Sequence, residues 1–216
     1  MDISPAYLKQ SVEDNLRNLG LDVLPIVNLR LGGFASPNEA SLAAPLTVLA
    51  ELQQKGLIEH IGLSTVSQKQ FDEARSIAKI VCVQNYYNVA HREDDAFVDS
   101  LDAEGVAYVP YFPLGGFTPL QSSTLDEAAA ALGVTPIVVA LAWLLQRSRN
   151  MLLIPGTSSV AHLRENLSAA TLSLPEEIPE QAEPDGTGSE ALTHRHHDPS
   201  SPRRAPTLVT IVRSFA

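Results

Sequence analysis

Five short runs of aliphatic and β-branched residues recur before Pro175: Val23 to Leu31, Leu57 to Leu63, Ile80 to Val83, Val106 to Val109 and Met151 to Ile154. Runs apolar at successive positions read as strands buried on both faces, as in parallel sheets. Helical patterns lie between them, at about 25 residues per unit, which is the length a right-handed crossover between parallel strands requires. The helices carry clear punctuation. Ser4 followed by Pro5 opens one, Leu8, Val12, Leu16 and Leu19 keep its spacing, and Gly20 suits its exit. Ser67 with Gln70, and Thr124 with Glu127, have capping-box spacing, and Thr135 with Pro136 opens an apolar helix to about Arg147. The expectation is an α/β fold with about five parallel strands. A closed eight-stranded barrel needs about 250 residues against the roughly 175 available here, so the alternatives are an open sheet or part of a barrel.

Composition changes at Pro175, and from that residue to the end six of the fifteen prolines crowd in with Gly186, Gly188 and the run His194, Arg195, His196, His197. Such a stretch has too little apolar surface to offset the entropy of ordering it. The reading is one ordered domain over 1–174 and a disordered tail over 175–216, with Leu208 to Val212 as a weak strand candidate. The histidines lack companion cysteines and ligand spacing, so no metal site is expected. Acidic residues outnumber basic ones 25 to 15, which argues against a nucleic-acid partner. No run reaches the length of a membrane span, and the N-terminus does not resemble a secretory signal. A single cysteine, Cys82, is consistent with a reducing compartment, and a cytoplasmic location is expected.

Ligands of parallel α/β folds gather at the carboxyl ends of the strands. Here those ends carry Ser64 and Thr65, then Gln84, Asn85, Tyr86 and Tyr87, then Tyr111, and last Gly156, Thr157, Ser158 and Ser159. The set is polar or aromatic and uncharged. It can hydrogen-bond an amide, stack a planar ring and hold a phosphate on backbone N–H groups, which suits a nucleotide better than a metal. Neither a G-x-G-x-x-G nor a Walker loop is present. Gly62-Leu63-Ser64 begins like a nucleophile elbow, but Val66 stands where the second glycine belongs.

Four of these stretches, in order, resemble the aldo-keto reductases: Gly56 through Ser64, Val83 through Asn88, Tyr111 through Gly116, and Ile154-Pro155-Gly156-Thr157 through Arg164-Glu165-Asn166. The resemblance covers about residues 4 to 172 and corresponds to the C-terminal part of that family's (β/α)8 TIM barrel, strands four to eight. It implies NAD(P)H-dependent reduction of aldehydes or ketones, with a small carbonyl substrate and NADP, or alternatively NAD, as cofactor. Ser64 and Gln84 match positions that hydrogen-bond the nicotinamide carboxamide, and Thr65 stands where many members have Asn. Tyr111 matches the aromatic platform of the nicotinamide, and Leu114 a position beside the pyrophosphate. Glu165 and Asn166 match the adenine contacts. Gly156, Thr157 and His162 occupy the region of the 2′-phosphate, where many members have Lys, Ser and Arg.

The family's chemistry looks to an Asp, Tyr, Lys and His tetrad, whose first three members fall outside the matched stretch. Arg30 stands at the position of the fourth, and a guanidinium donates hydrogen bonds without acting as neutral imidazole does. The resemblance therefore implies cofactor-site parts without their acid, and a second reading as a non-catalytic remnant or nucleotide-binding module stays open. Plainer readings also stand. Ser64 and Thr65 could prepare a helix cap at Ser67, Tyr86 and Tyr87 could be packing residues, Arg30 could pair with a carboxylate, and Glu93, Asp94, Asp95 and Asp99 read as a solvated helix start. A partial barrel leaves strand edges unpaired, which invites self-association.

Overall fold

Helix α1 (Pro5–Leu19) is fixed at both ends by local chemistry. The Ser4 hydroxyl accepts a hydrogen bond from the Tyr7 amide at 3.3 Å, Pro5 occupies the first turn, and Gly20 closes the helix at φ 64°, where a side chain would be strained. The structure, a computed structural model, describes residues 3–31, 33, 36–115 and 123–175. After α1 come β1 (Leu24–Arg30), α2 (Ala43–Gln54), β2 (Ile58–Ser64), α3 (Gln68–Arg75), β3 (Ile80–Gln84), α4 (Asp95–Glu104), β4 (Ala107–Tyr108), α5 (Ser123–Leu132), α6 (Pro136–Arg147), α7 (Val160–Ser168) and a 3-10 turn, Ala169–Thr171. At α3 the capping box is complete, with Ser67 and Gln70 each bonding the other's backbone amide.

The strands form a parallel sheet in sequential order, β1-β2-β3-β4. Among the described residues it has four strands rather than the five expected. Met151 to Ile154 contributes one isolated parallel bridge, Met151 to Tyr108, together with the Leu152 amide bonded to the Tyr108 carbonyl at 2.9 Å. The reason lies in the partner strand and in the residue that follows: β4 is two residues long and gives a fifth strand little to pair with, and Pro155 comes directly after Ile154. The expected cap at Thr124 is also displaced, because α5 begins at Ser123 and places Thr124 inside its first turn. The tail of 176–216, including Leu208 to Val212 and the histidine run, lies outside the described residues.

Strand alternation divides the sheet into two chemistries. Val27 and Leu29 of β1, Ile61 and Leu63 of β2 and Val83 of β3 join one apolar cluster with Leu8 and Val12 of α1, Leu46 and Leu49 of α2, Phe71 of α3, and Phe97 and Leu101 of α4. Burial of each such side chain contributes about 1.5–3 kcal/mol. The alternate positions, Asn28 and Arg30, Gly62 and Ser64, Cys82 and Gln84, line the other face, and that face carries the polar groups. Helix α6 is buried along most of its length, and its Trp143 stacks on Tyr87 with ring centroids 6.0 Å apart. Among the described residues no single helix is long and apolar enough to cross a membrane, and no group of His, Cys, Asp and Glu could hold a metal ion.

Candidate functional site

The register of the parallel strands sets Arg30 beside Ser64 and Ser64 beside Gln84, so the last residues of β1, β2 and β3 stand in one row. The row continues past β4. The Tyr111 amide donates to the Asn85 carbonyl at 2.9 Å, and Tyr86 and Tyr111 form a parallel bridge. Thr65 leaves β2 at φ 56°, an uncommon backbone state for a β-branched residue. It is held there by its amide, which donates to the Gln84 carbonyl at 2.9 Å, while its hydroxyl lies 3.3 Å from the Tyr111 hydroxyl. The Arg30 guanidinium sits 5.5 Å over the Tyr111 ring and donates to the Gly33 carbonyl at 2.8 Å. Tyr86 stacks beside Tyr111 at 5.9 Å and on His91 at 4.2 Å, giving a ladder of planar groups along the strand ends.

Five residues selected from the sequence, Arg30, Ser64, Thr65, Gln84 and Tyr111, are thus brought together. Ser64, Thr65 and Gln84 are each no more than 5% exposed. Among the described residues the Ser64 hydroxyl and the Gln84 amide nitrogen have no hydrogen-bond partner. The remaining candidates lie elsewhere. Leu114 packs with Val134 and Leu153 against the cluster of Val138 and Leu141 on α6. Gly156 and Thr157 are exposed in the turn before α7, where the Thr157 hydroxyl accepts from the Ser159 amide and the Ser159 hydroxyl caps the helix by accepting from the His162 amide. His162 is exposed, Asn166 is half-buried, and Glu165 accepts a hydrogen bond from the Thr135 hydroxyl at 2.5 Å. Among the described residues no hydrogen bond joins this group to the row at Arg30 through Tyr111.

Asn28 escaped the sequence reading, and Asn85 and Asn88 stood in it only as polar letters beyond the third strand run. Asn28, Asn85 and Asn88 are all buried. The Asn85 side chain bonds both the amide and the carbonyl of Val66 and donates to Asp94 at 2.7 Å, while Asn88 donates to the Phe112 carbonyl at 3.1 Å. Together they tie the β2, β3 and β4 exits to one another. The only signal in the sequence was a polar letter inside or just beyond an apolar run. The acidic residues at the start of α4 are not merely solvated. Asp94 also accepts from the Tyr108 hydroxyl at 2.7 Å, and Asp95 accepts from the Tyr87 hydroxyl, Arg92 and Arg147.

This arrangement moves several protonation equilibria. Burial pushes the Asp95 carboxyl up, but hydrogen bonds from Tyr87 and Arg92 and the charges of Arg92 and Arg147 outweigh it and hold the pKa below the usual carboxylate range. Burial, then the Asp95 carboxylate, pushes the Tyr87 hydroxyl up, and burial with the charge of Asp94 does the same to Tyr108. Burial raises the Cys82 thiol to about 11, which keeps it protonated and unreactive near neutral pH. The strand-end row therefore presents neutral hydrogen-bonding groups, an aromatic platform and one guanidinium, with no group poised as a nucleophile.

Comparison with known proteins accords with this geometry. The model of the aldo/keto reductase family matches residues 1–182, a wider span than the 4–172 and the C-terminal barrel segment drawn from the motifs alone. Pyridoxine 4-dehydrogenase of Escherichia coli is 67% identical over 177 residues, which is 81% of this chain and 62% of that protein. An uncharacterised oxidoreductase of Schizosaccharomyces pombe is 32% identical over 189 residues, 87% of this chain and 60% of that protein. The chain thus spans about three-fifths of the length of the curated relatives it matches. Among solved structures, the thermostable aldo-keto reductase Tm1743 in complex with epalrestat superposes with a TM-score of 0.71 at 34% identity, covering 82% of this chain and 65% of that one. The parallel sheet, the strand-end row and the extent of the family match lead to one conclusion: the chain belongs to the aldo/keto reductase family.

Proposed function

We propose that the row at the strand ends seats the nicotinamide of NADP, with NAD as the alternative, and that the chain serves the interconversion of an aldehyde or ketone with its alcohol. The observation that carries this reading is the side-by-side placement of Ser64 and Gln84, each with unspent hydrogen-bonding capacity, next to the Thr65–Tyr111 contact. A carboxamide needs partners of this neutral kind, and an aromatic heterocycle needs a face such as that of Tyr111. The residues present fit the group. When bound, the nicotinamide supplies or accepts the hydride. Ser64 and Gln84 then orient its carboxamide, Tyr111 carries the ring, and Arg30 orients a carbonyl or attracts an anionic substrate. Leu114 would border the pyrophosphate, the exposed turn at Gly156 and Thr157 with His162 would meet the adenosine phosphate, and Glu165 and Asn166 the adenine. Identity to pyridoxine 4-dehydrogenase supports a pyridoxine-type alcohol and its aldehyde as the substrate pair, and the lone buried Cys82 suits a cytoplasmic setting.

The four lysines are Lys9 on α1, Lys55 at the end of α2, Lys69 on α3 and Lys79 ahead of β3. None stands at the strand ends, so these residues hold a cofactor without supplying the family's Tyr–Lys acid. This favours cofactor binding without turnover by the 216-residue chain. Titrating NADPH while following its own emission, then adding pyridoxal and a panel of aldehydes, tests both parts. Saturable enhancement with no loss of absorbance at the reduced-nicotinamide band is expected. Rapid turnover would overturn the missing-acid argument, and no binding would overturn the cofactor reading.

A further inference from the structure

Asn28 and Gln84 belong to strands separated by a third, yet their side chains meet. Neighbouring strands lie about 4.8 Å apart, so side chains two strands apart touch only where the middle strand leaves a gap. Gly62, the register partner of Asn28, leaves it. A Cβ at position 62 would come 2.0 Å from the Asn28 side-chain oxygen and 2.5 Å from the Cys82 sulfur. The Asn28 carboxamide fills that space and is engaged at both ends. Its oxygen accepts from the Cys82 thiol at 3.3 Å and its nitrogen donates to the Gln84 side-chain oxygen at 3.4 Å. Asn28 is 4% exposed, and Cys82 and Gln84 are 5% exposed. A lone amide buried within an apolar run is costly unless its bonds are made, and here they are made to the one strand-end amide whose other end is unspent.

We infer that Asn28 is a positioning residue: lying across Gly62 and anchored by Cys82, it locks the Gln84 carboxamide so that its free end meets the carboxamide of a bound nicotinamide. This rests on the nicotinamide reading above. The role differs from plain core satisfaction because its effect is confined to the nicotinamide half of the cofactor.

The test uses the full chain and two probes: NADPH, and adenosine 2′,5′-bisphosphate, which has the adenine and 2′-phosphate but no nicotinamide. Asn28→Leu keeps the branching and heavy-atom count of the side chain and removes both hydrogen bonds. It is expected to weaken NADPH by roughly five- to tenfold, the loss of about one oriented hydrogen bond, and to leave the bisphosphate within about twofold. In a Gln84→Ala background the same substitution is expected to have no further effect on NADPH. Parallel weakening of both probes, undiminished NADPH binding, or full additivity with Gln84→Ala would overturn the inference. Should Asn28→Leu fail to fold, Cys82→Ala, which removes only the anchor, is expected to show the same selective loss at smaller size, and an unselective loss would count as refutation. A wild-type chain that binds neither probe overturns the nicotinamide reading and this inference together, whereas wild-type binding with an unaffected Asn28→Leu variant overturns this inference alone.

Discussion

Thr65 holds a left-handed backbone at φ 56° that β-branched residues disfavour, and it does so at the exit of β2, where its amide and hydroxyl reach Gln84 and Tyr111. Asparagine tolerates this conformation far better. Thr65→Asn is therefore expected to raise stability by about 1 kcal/mol, read as a higher thermal midpoint. A lower midpoint would mean that the hydroxyl contact to Tyr111 outweighs the backbone strain. Replacement of Tyr111 by Leu should weaken NADPH by about tenfold with little change in thermal midpoint, since its ring is only half-buried. The sequence displayed Ser64, Gln84 and Tyr111 because polar and aromatic letters ending apolar runs stand out. It could not display Asn28: its partner lies 56 positions away, and the glycine that permits the contact is informative only once the register is known.

At the level of elements, helix ends were legible because their chemistry is local. Ser67→Ala removes the hydroxyl half of the α3 capping box and should cost about 1 kcal/mol in denaturant unfolding. The fifth strand was not legible, because the run at Met151 has strand composition while its pairing depends on the length of β4 in another part of the chain. The acids of α4 were read as solvated for the same reason: Tyr87 precedes them closely, but Tyr108 and Arg147 reach them only through packing. A pH dependence follows from Asp95. Its folded pKa is depressed, so its contribution is present above the unfolded carboxylate value and is lost as pH falls through the folded one. Thermal midpoints measured below about pH 4 should fall more steeply for the wild type than for Asp95→Asn. Parallel profiles would show that the network adds nothing to folding.

At the scale of the whole molecule, the sheet among the described residues ends at β1 on one side and at the single Met151 bridge on the other. Pro25, within β1, lacks an amide to offer a neighbouring strand, which partly blunts the first edge. The second edge is less protected, since Leu152 and Ile154 are 48% and 40% exposed, and nearby α7 buries no side chain and exposes Val160, Leu163 and Leu167. Concentration-dependent self-association is therefore expected in sedimentation velocity, and Leu152→Lys with Ile154→Lys should shift the chain toward monomer. A wild-type chain that sediments as monomer across a hundredfold range of concentration would argue against it. Trp143, the one tryptophan of the sequence, is buried against Tyr87 with the Arg92 guanidinium 5.4 Å from its ring. Its ultraviolet emission consequently samples the packing of α6 on the β3–α4 connection, so an indole-monitored melt and a circular-dichroism melt will superimpose only if that contact and the helices open in the same cooperative step.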